Sequence, residues 1–264
     1  LRCGDALLHP RVVQRSRSPG ALDVVRTLLA LLAILPGLLA GLLELAFSRD
    51  RRRAVNRAIQ VWGELGTEAA GMQLDVEGWR HLEERPAVFL LNHQSGIDPI
   101  LVCALLRRDF VGVAKQEIRR NPVLGPAFAF AGVVFVDRFD HTRAVRALEP
   151  AIDTLHAGIA IAIAPEGTRR AGLGRFKKGG FRLAMAAKVP VVPIVLHDSC
   201  DVLPRGAWIM TGGRVHVTVH APIPTDGWSP DTLDAKIAAV EQLYHDTLAS
   251  AARKRSTRAS SSGA

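Results

Sequence analysis

The chain has 264 residues, 48% of them hydrophobic, which excludes a disordered protein and leaves room for one large domain with a sizeable core. The formal charge of +9 is concentrated at the ends: residues 1–60 carry ten Arg against four acids, the last fourteen carry three Arg and Lys254 with no acid, and the stretch between nets −1. With only 5% aromatic residues there are few platforms for stacked bases, so the basic ends suit an anionic membrane surface and no nucleic-acid partner is expected.

Residues 1–20 mix Arg, Pro, Ser and Gly without period and start at Leu1 rather than Met, as a linker or the start of a fragment of a longer chain would. From Leu28 to Phe47 the chain is almost unbroken hydrocarbon, too long for a signal-peptide core and without a small-residue cleavage site. As one helix, Val24–Phe47 would measure roughly 36 Å at ~1.5 Å per residue, enough for a ~30 Å hydrocarbon core, so a single kinked span is one reading. Pro36-Gly37, however, divides the stretch into halves of about twelve and ten residues, each too short to span. Arginines also flank both sides, Arg11, Arg15, Arg17 and Arg26 before and Arg49, Arg51, Arg52 and Arg53 after, where a span would concentrate them on one. The expectation is therefore a re-entrant helical hairpin embedded in one leaflet, with both ends on the cytoplasmic face of the cell membrane. Behind it Val55, Ile59, Trp62, Leu65, Ala69 and Met72 recur every three or four residues, an amphipathic helix that completes a membrane-associated segment, 21–71.

Residues 72–250 alternate strand and helix. Strand-like runs fall at Met72–Val76, Ala87–Leu91, Phe110–Val113, Val133–Val136, Ile159–Ala164, Val191–Leu196 and Val215–Val219. Helical stretches fall at Pro99–Leu106, Leu124–Ala131, Thr142–Ala157, Gly179–Ala187 and Asp231–Ser250. This predicts a single α/β domain with a mostly parallel central sheet flanked by helices, its functional loops at the carboxyl ends of strands. Residues 251–264, with the Arg253-Lys254-Arg255 run and a Ser-rich end, read as a disordered basic tail.

Two strand ends carry the chemistry. After Ala87–Leu91 comes Asn92-His93-Gln94-Ser95-Gly96-Ile97-Asp98-Pro99, in which His93 and Asp98 can meet only across a turn. Asp98-Pro99 is also a helix-start pair, an N-cap followed by Pro, and that alone would account for Asp98. A carboxylate nevertheless has lone pairs enough to serve a helix start and a ring N–H, and such a pair makes a general base. After Ile159–Ala164 comes Pro165-Glu166-Gly167-Thr168-Arg169, opening a run of seven basic residues to Lys188 without an acid. Glycines at 172, 174, 179 and 180 break that run into loop, where main-chain N–H groups and Arg forks suit a phosphate. Val136-Asp137-Arg138 ends another strand; a surface ion pair accounts for it equally well. The nine histidines include no HExxH motif, and Cys3, Cys103 and Cys200 form no CxxC pair, so neither a metal nor a disulfide scaffold is expected and a reducing compartment fits.

Together these blocks resemble the 1-acylglycerol-3-phosphate (lysophosphatidic acid) acyltransferase family of glycerophospholipid acyltransferases. Asn92–Asp98 looks like its NHxxxxD block, which implies His93 as base and Asp98 as its partner. Gly132–Arg138 looks like its second block, which implies that Arg138 binds the glycerol phosphate. Glu166-Gly167-Thr168-Arg169 is similar to its EGTR block, assigned to the same phosphate together with the family-like Lys177. Val189–Ile194 is similar to its fourth block, placing Pro193 near the acyl or acceptor pocket. The resemblance implies transfer of an acyl group from a thioester donor, acyl-CoA or acyl-carrier protein as co-substrate, to the sn-2 hydroxyl of lysophosphatidic acid, with no bound cofactor. It also implies membrane lipid as a partner and, by analogy with some bacterial members, a haloacid-dehalogenase-like domain upstream. Two other readings stay open on the residues alone: a hydrolase of acyl esters or thioesters with Ser95 as nucleophile, and a catalytically silent membrane lipid-binding protein.

Overall fold

The computed structural model describes residues 19–137, 150–168 and 172–261. Seven strands among them form one sheet: β1 (Met72–Glu77), β2 (Val88–Leu91), β3 (Phe110–Lys115), β4 (Val134–Val136), β5 (Ala160–Ile163), β6 (Val191–Leu196) and β7 (Gly213–Val219). Their order is β1-β7-β6-β2-β5-β3-β4, and every neighbouring pair is parallel except β6 with β7. β2 and β6 are buried along their whole lengths, as strands covered on both faces of a parallel sheet must be, and so their sequences are continuous apolar runs rather than alternating ones.

Alternate residues of these strands feed two cores. Phe89, Leu91, Val192 and Ile194 pack with helices α3 (Arg51–Ala69) and α4 (Asp98–Leu106) on one face. Val88, Leu90, Val191 and Val195 pack on the other with α6 (Pro150–His156), α7 (Gly179–Ala187) and α9 (Leu233–Ser261). The short helices α5 (Leu124–Phe130) and α8 (Ser199–Val202) complete the set. Because β2 to β6 all run the same way, the loops after β2, β4, β5 and β6 leave from one edge, where ligands sit in open α/β sheets.

The apolar N-terminal segment differs from the hairpin expected. α1 (Ala21–Leu32) and α2 (Ile34–Ser48) are separated only by Ala33, itself right-handed helical with its N–H on Leu29 O at 2.9 Å, so the chain does not reverse there. The break lies a turn before Pro36, because proline has no N–H for the Leu32 carbonyl and is tolerated only in the first turn of a helix. The reversal comes one helix later. Arg49 takes a left-handed conformation, the Asp50 carboxylate caps α3 by accepting the N–H groups of Arg52 and Arg53, and α3 runs back along α2. Gly37 and Gly41 form the seam: a methyl group at Gly41 would stand 2.8 Å from both Ala54 O and Ala58 Cβ. Leu39, Leu43 and Phe47, four residues apart, remain exposed on α2.

The carboxyl end also differs. α9 continues to Ser261 where a disordered tail was expected from residue 251, because Ala251-Ala252-Arg253-Lys254-Arg255 are strong helix formers with no Gly or Pro among them. Of the stretch expected to be helical from Thr142 to Ala157, the described part is helix over Pro150–His156.

The α2–α3 seam makes a test. Gly41→Leu should destabilise the protein by about 1–3 kcal/mol through overpacking, whereas Gly172→Ala, where an added methyl meets nothing within 4 Å, should leave thermal unfolding in detergent unchanged.

Candidate active site

β2 delivers His93 to the carboxyl edge of the sheet, and the loop that holds it is anchored at each step. Asn92 extends the β2–β6 contact by donating from its amide to Leu196 O (2.9 Å) and accepting from Leu196 N–H (2.7 Å). The next N–H, that of His93, goes to Glu166 Oε1 at 2.8 Å. The turn then closes on a single oxygen: Asp98 Oδ2 lies 2.7 Å from His93 Nδ1 and accepts the N–H groups of Gln94 and Ser95 at 2.9 Å each. Asp98 is the first residue of α4, but its side chain is turned back into the loop, so it does not cap the helix; that place falls to Ile97, without a side-chain bond.

This arrangement sets the tautomer. Asp98, 1% exposed, already serves two main-chain donors and is therefore an acceptor, so His93 Nδ1 carries the proton and Nε2 keeps its lone pair. Ser95, also buried, spends its hydroxyl within the fold, donating to Leu203 O at 2.8 Å.

His93, Asp98 and Pro99 line a cavity of about 190 Å³ whose other walls are apolar apart from Lys115. Ile34 and Leu38 of α2, Ile59 and Trp62 of α3, Phe128 of α5 and Val113 of β3 line it. Cys103 is part of this wall, and burial pushes its thiol up to about 12, which keeps it protonated and unreactive.

The Glu166 loop sits beside the His93 turn. Glu166, 3% exposed, is tied by both carboxylate oxygens, Oε1 to His93 N–H and Oε2 to Gly174 N–H at 2.6 Å. Burial raises its pKa, and the two main-chain donors pull it the other way. Expected to contact a phosphate, Glu166 instead braces two loops: both oxygens are occupied, and a carboxylate repels a phosphate. Gly167 turns the chain at φ +72°, and the Lys177 side chain lies across it, 2.9 Å at Cε and Nζ from where a methyl group would be. The Lys177 main chain is held by Pro165 O at 2.8 Å. Thr168 is exposed next to this turn, Arg169 follows it directly, and Arg138 follows Asp137 at the end of β4; both arginines lie outside the described residues.

Pro193 does not reach the cavity. It lies buried in β6 opposite Leu90, and its carbonyl accepts His220 N–H at 3.0 Å. Its missing N–H falls on the side facing the segment after β7, which is where a central strand can tolerate a proline. Toward β2, the ladder next to it is bridged by a side chain. The Tyr244 hydroxyl donates to Leu90 O (2.7 Å) and accepts Ile194 N–H (3.2 Å), and full burial raises its pKa. Tyr244 also packs edge-on against Phe176, whose N–H is taken by Glu241 of the same helix. Helical spacing cannot reveal this role for α9, because the partners lie 154 and 50 residues away.

Glu166→Gln tests the brace. A Gln side chain can accept at only one of the two sites, so one main-chain N–H loses its partner at a cost of about 1–3 kcal/mol; melting should fall by roughly 2–4 °C per kcal/mol, and turnover with it.

Residues 73–197 match the acyltransferase family. The chain is 30% identical over 178 residues to a 1-acyl-sn-glycerol-3-phosphate acyltransferase of Limnanthes alba, covering 66% of this chain and 63% of that one. It is 34% identical over 169 residues to the human 1-acyl-sn-glycerol-3-phosphate acyltransferase alpha, covering 62% and 60%. It thus spans less than two thirds of the length of these relatives. Its fold superposes on the crystal structure of the 1-acyl-sn-glycerophosphate acyltransferase PlsC of Thermotoga maritima with a TM-score of 0.72 and 27% identity, over 86% of this chain and 94% of that one. Sequence and fold agree: residues 73–197 match the acyltransferase family model, and the chain is similar in sequence and in fold to 1-acyl-sn-glycerol-3-phosphate acyltransferases.

Proposed function

We propose that this protein transfers a fatty acyl group from an acyl thioester to the sn-2 hydroxyl of a lysophosphatidic acid, giving phosphatidic acid. The observation that carries the reading is the His93 Nδ1 to Asp98 Oδ2 contact of 2.7 Å in the wall of a mostly apolar cavity. The acyl chain occupies the cavity, and His93 Nε2 takes the hydroxyl proton as the oxygen attacks the thioester carbonyl. The new C–O bond forms, the C–S bond breaks, and the departing sulfur leaves with the proton returned from the imidazolium, which Asp98 stabilises meanwhile. No acyl-enzyme is required. A hydrolase built on Ser95 is not supported, since that hydroxyl is buried and bonded to Leu203 O.

The acceptor's phosphate is held by Lys177, lying across Gly167, and by Arg169 and Arg138, whose roles follow from the family resemblance. Binding at that distance from the reacting hydroxyl orients it. The donor, acyl-CoA or acyl-carrier protein, supplies only the thioester. α1 and α2 lie in one leaflet of the cytoplasmic face. The geometry favours this over a span because the rod touches the domain from Thr27, bonded to Met210 N–H at 2.8 Å, to Gly41 on α3, while leucines cover its outer side. Contact along its length with the rest of the fold supports a position within one leaflet over a path across the ~30 Å hydrocarbon core.

Purified protein given a lysophosphatidic acid and an acyl thioester should make the diacyl product. His93→Ala should lower turnover by about 10²–10⁴-fold with circular dichroism unchanged. Asp98→Asn, which keeps an acceptor for the two main-chain N–H groups, should lose much of the rate and little of the fold. Near-normal turnover of a folded His93→Ala variant would remove the mechanism.

Lys177→Ala and Arg169→Ala should each raise the apparent KM for the lysolipid by about an order of magnitude or more, corresponding to a charge-assisted bond of about 1.5–3 kcal/mol, with little change in the KM for the thioester. Equal effects on both substrates would take these residues out of the phosphate site.

A further inference from the structure

Residues 203–212, between α8 and β7, carry a tryptophan that the fold does not use. Trp208 is 89% exposed, whereas the loop bearing it is firmly held. Pro204–Ala207 close a turn with Gly206 at φ +82° (Ala207 N–H to Pro204 O, 3.0 Å), and Thr211 N–H donates to Val202 O at 2.9 Å. Met210, two residues past Trp208, is buried and donates its N–H to Thr27 of α1 at 2.8 Å. At the other end Leu203 O accepts the Ser95 hydroxyl at 2.8 Å, so one short loop bridges the His93 turn and the first apolar helix. A single exposed ring is ordinary by itself, but here the loop that bears it is bonded to α1, whose exposed leucines form an apolar face.

Resting on the reading that α1 and α2 lie in the bilayer, we propose that the 203–211 loop is a separate membrane contact, with Trp208 seated in the headgroup region of an anionic bilayer. Continuity argues for lipid: Leu28 and Leu31 of α1, beside the Thr27 bond, are themselves more than half exposed. Tryptophan's apolar body and single N–H suit the depth where hydrocarbon meets headgroups, and Arg205 on the same turn faces solvent, where it can meet lipid phosphate. Through Leu203 and Ser95 this contact orients the mouth of the His93 site toward the plane in which a lysolipid's headgroup lies.

The test uses the full chain with vesicles of phosphatidylcholine and phosphatidylglycerol, with and without lipids brominated near the headgroup. Bromolipid should quench wild-type tryptophan emission, and Trp208→Phe should remove most of that quenching, whereas Trp79→Phe, exposed on the 3-10 turn before β2, should not. Trp208→Glu should weaken vesicle partition by about tenfold while turnover of a water-soluble short-chain lysolipid stays unchanged. Vesicle binding with Trp208 unquenched, or partition unaffected by Trp208→Glu, would overturn the inference and leave α1 and α2 as the membrane contact. Loss of short-chain turnover would place the loop in the site rather than on lipid, and failure of the wild-type protein to bind vesicles would overturn the membrane reading itself.

Discussion

Asp98 Oδ2 accepts three donors, the His93 ring and the N–H groups of Gln94 and Ser95, and this convergence shapes the site. A carboxylate that is 1% exposed is costly to bury unless it is hydrogen-bonded, and here the turn whose donors meet its Oδ2 is the turn that carries the histidine. Closing the turn and setting the tautomer are therefore one event. His93 is further held by its own N–H on Glu166, and Glu166 by Gly174, so the loops after β2 and β5 share a single buried anion between them. Positioning of this kind matters more than the strength of any one bond, because an acid–base group acts only within hydrogen-bond reach of its proton.

The back of the sheet supports the same edge. Tyr244 places a hydroxyl between Leu90 O and Ile194 N–H, just before Asn92 and His93 leave the sheet, and Glu241 and Phe176 bind α9 to the segment that carries Lys177 and Gly174. The terminal helix thus reaches both loops of the site without contributing a group to the cavity. On the front, close approach of α2 and α3 at Gly37 and Gly41 brings Ile34 and Leu38 into the cavity wall. The same rod has a flank of exposed leucines on its outer side, so one element both lines the cavity and carries an exposed apolar face.

Much of this was legible in the sequence, and the reason is locality. Strand and helix positions follow from runs and periods within ten or so residues, which is why β6 and α7 fall where periodicity places them and the other strands shift by one or two residues at their ends, whereas α9 runs on to Ser261. His93 and Asp98 lie on one turn, so their spacing alone brings them within reach, and the structure joins them at 2.7 Å. Composition likewise marks residues 21–48 as apolar enough to meet lipid.

What the sequence alone did not determine is whatever depends on a partner far along the chain. Glu166 stands in a block that reads as phosphate-binding, yet its oxygens are taken by main-chain donors 73 and 8 residues away. Pro193 reads as a pocket residue and lies inside a strand, because the order of the sheet, not local pattern, decides what flanks it. Pro36-Gly37 reads as a hairpin bend, but Gly37 is needed for contact with Ala58 and the reversal moves to Arg49-Asp50. In each case residue type is set by sequence, while the partner is chosen by packing of elements that become neighbours only when the sheet has formed.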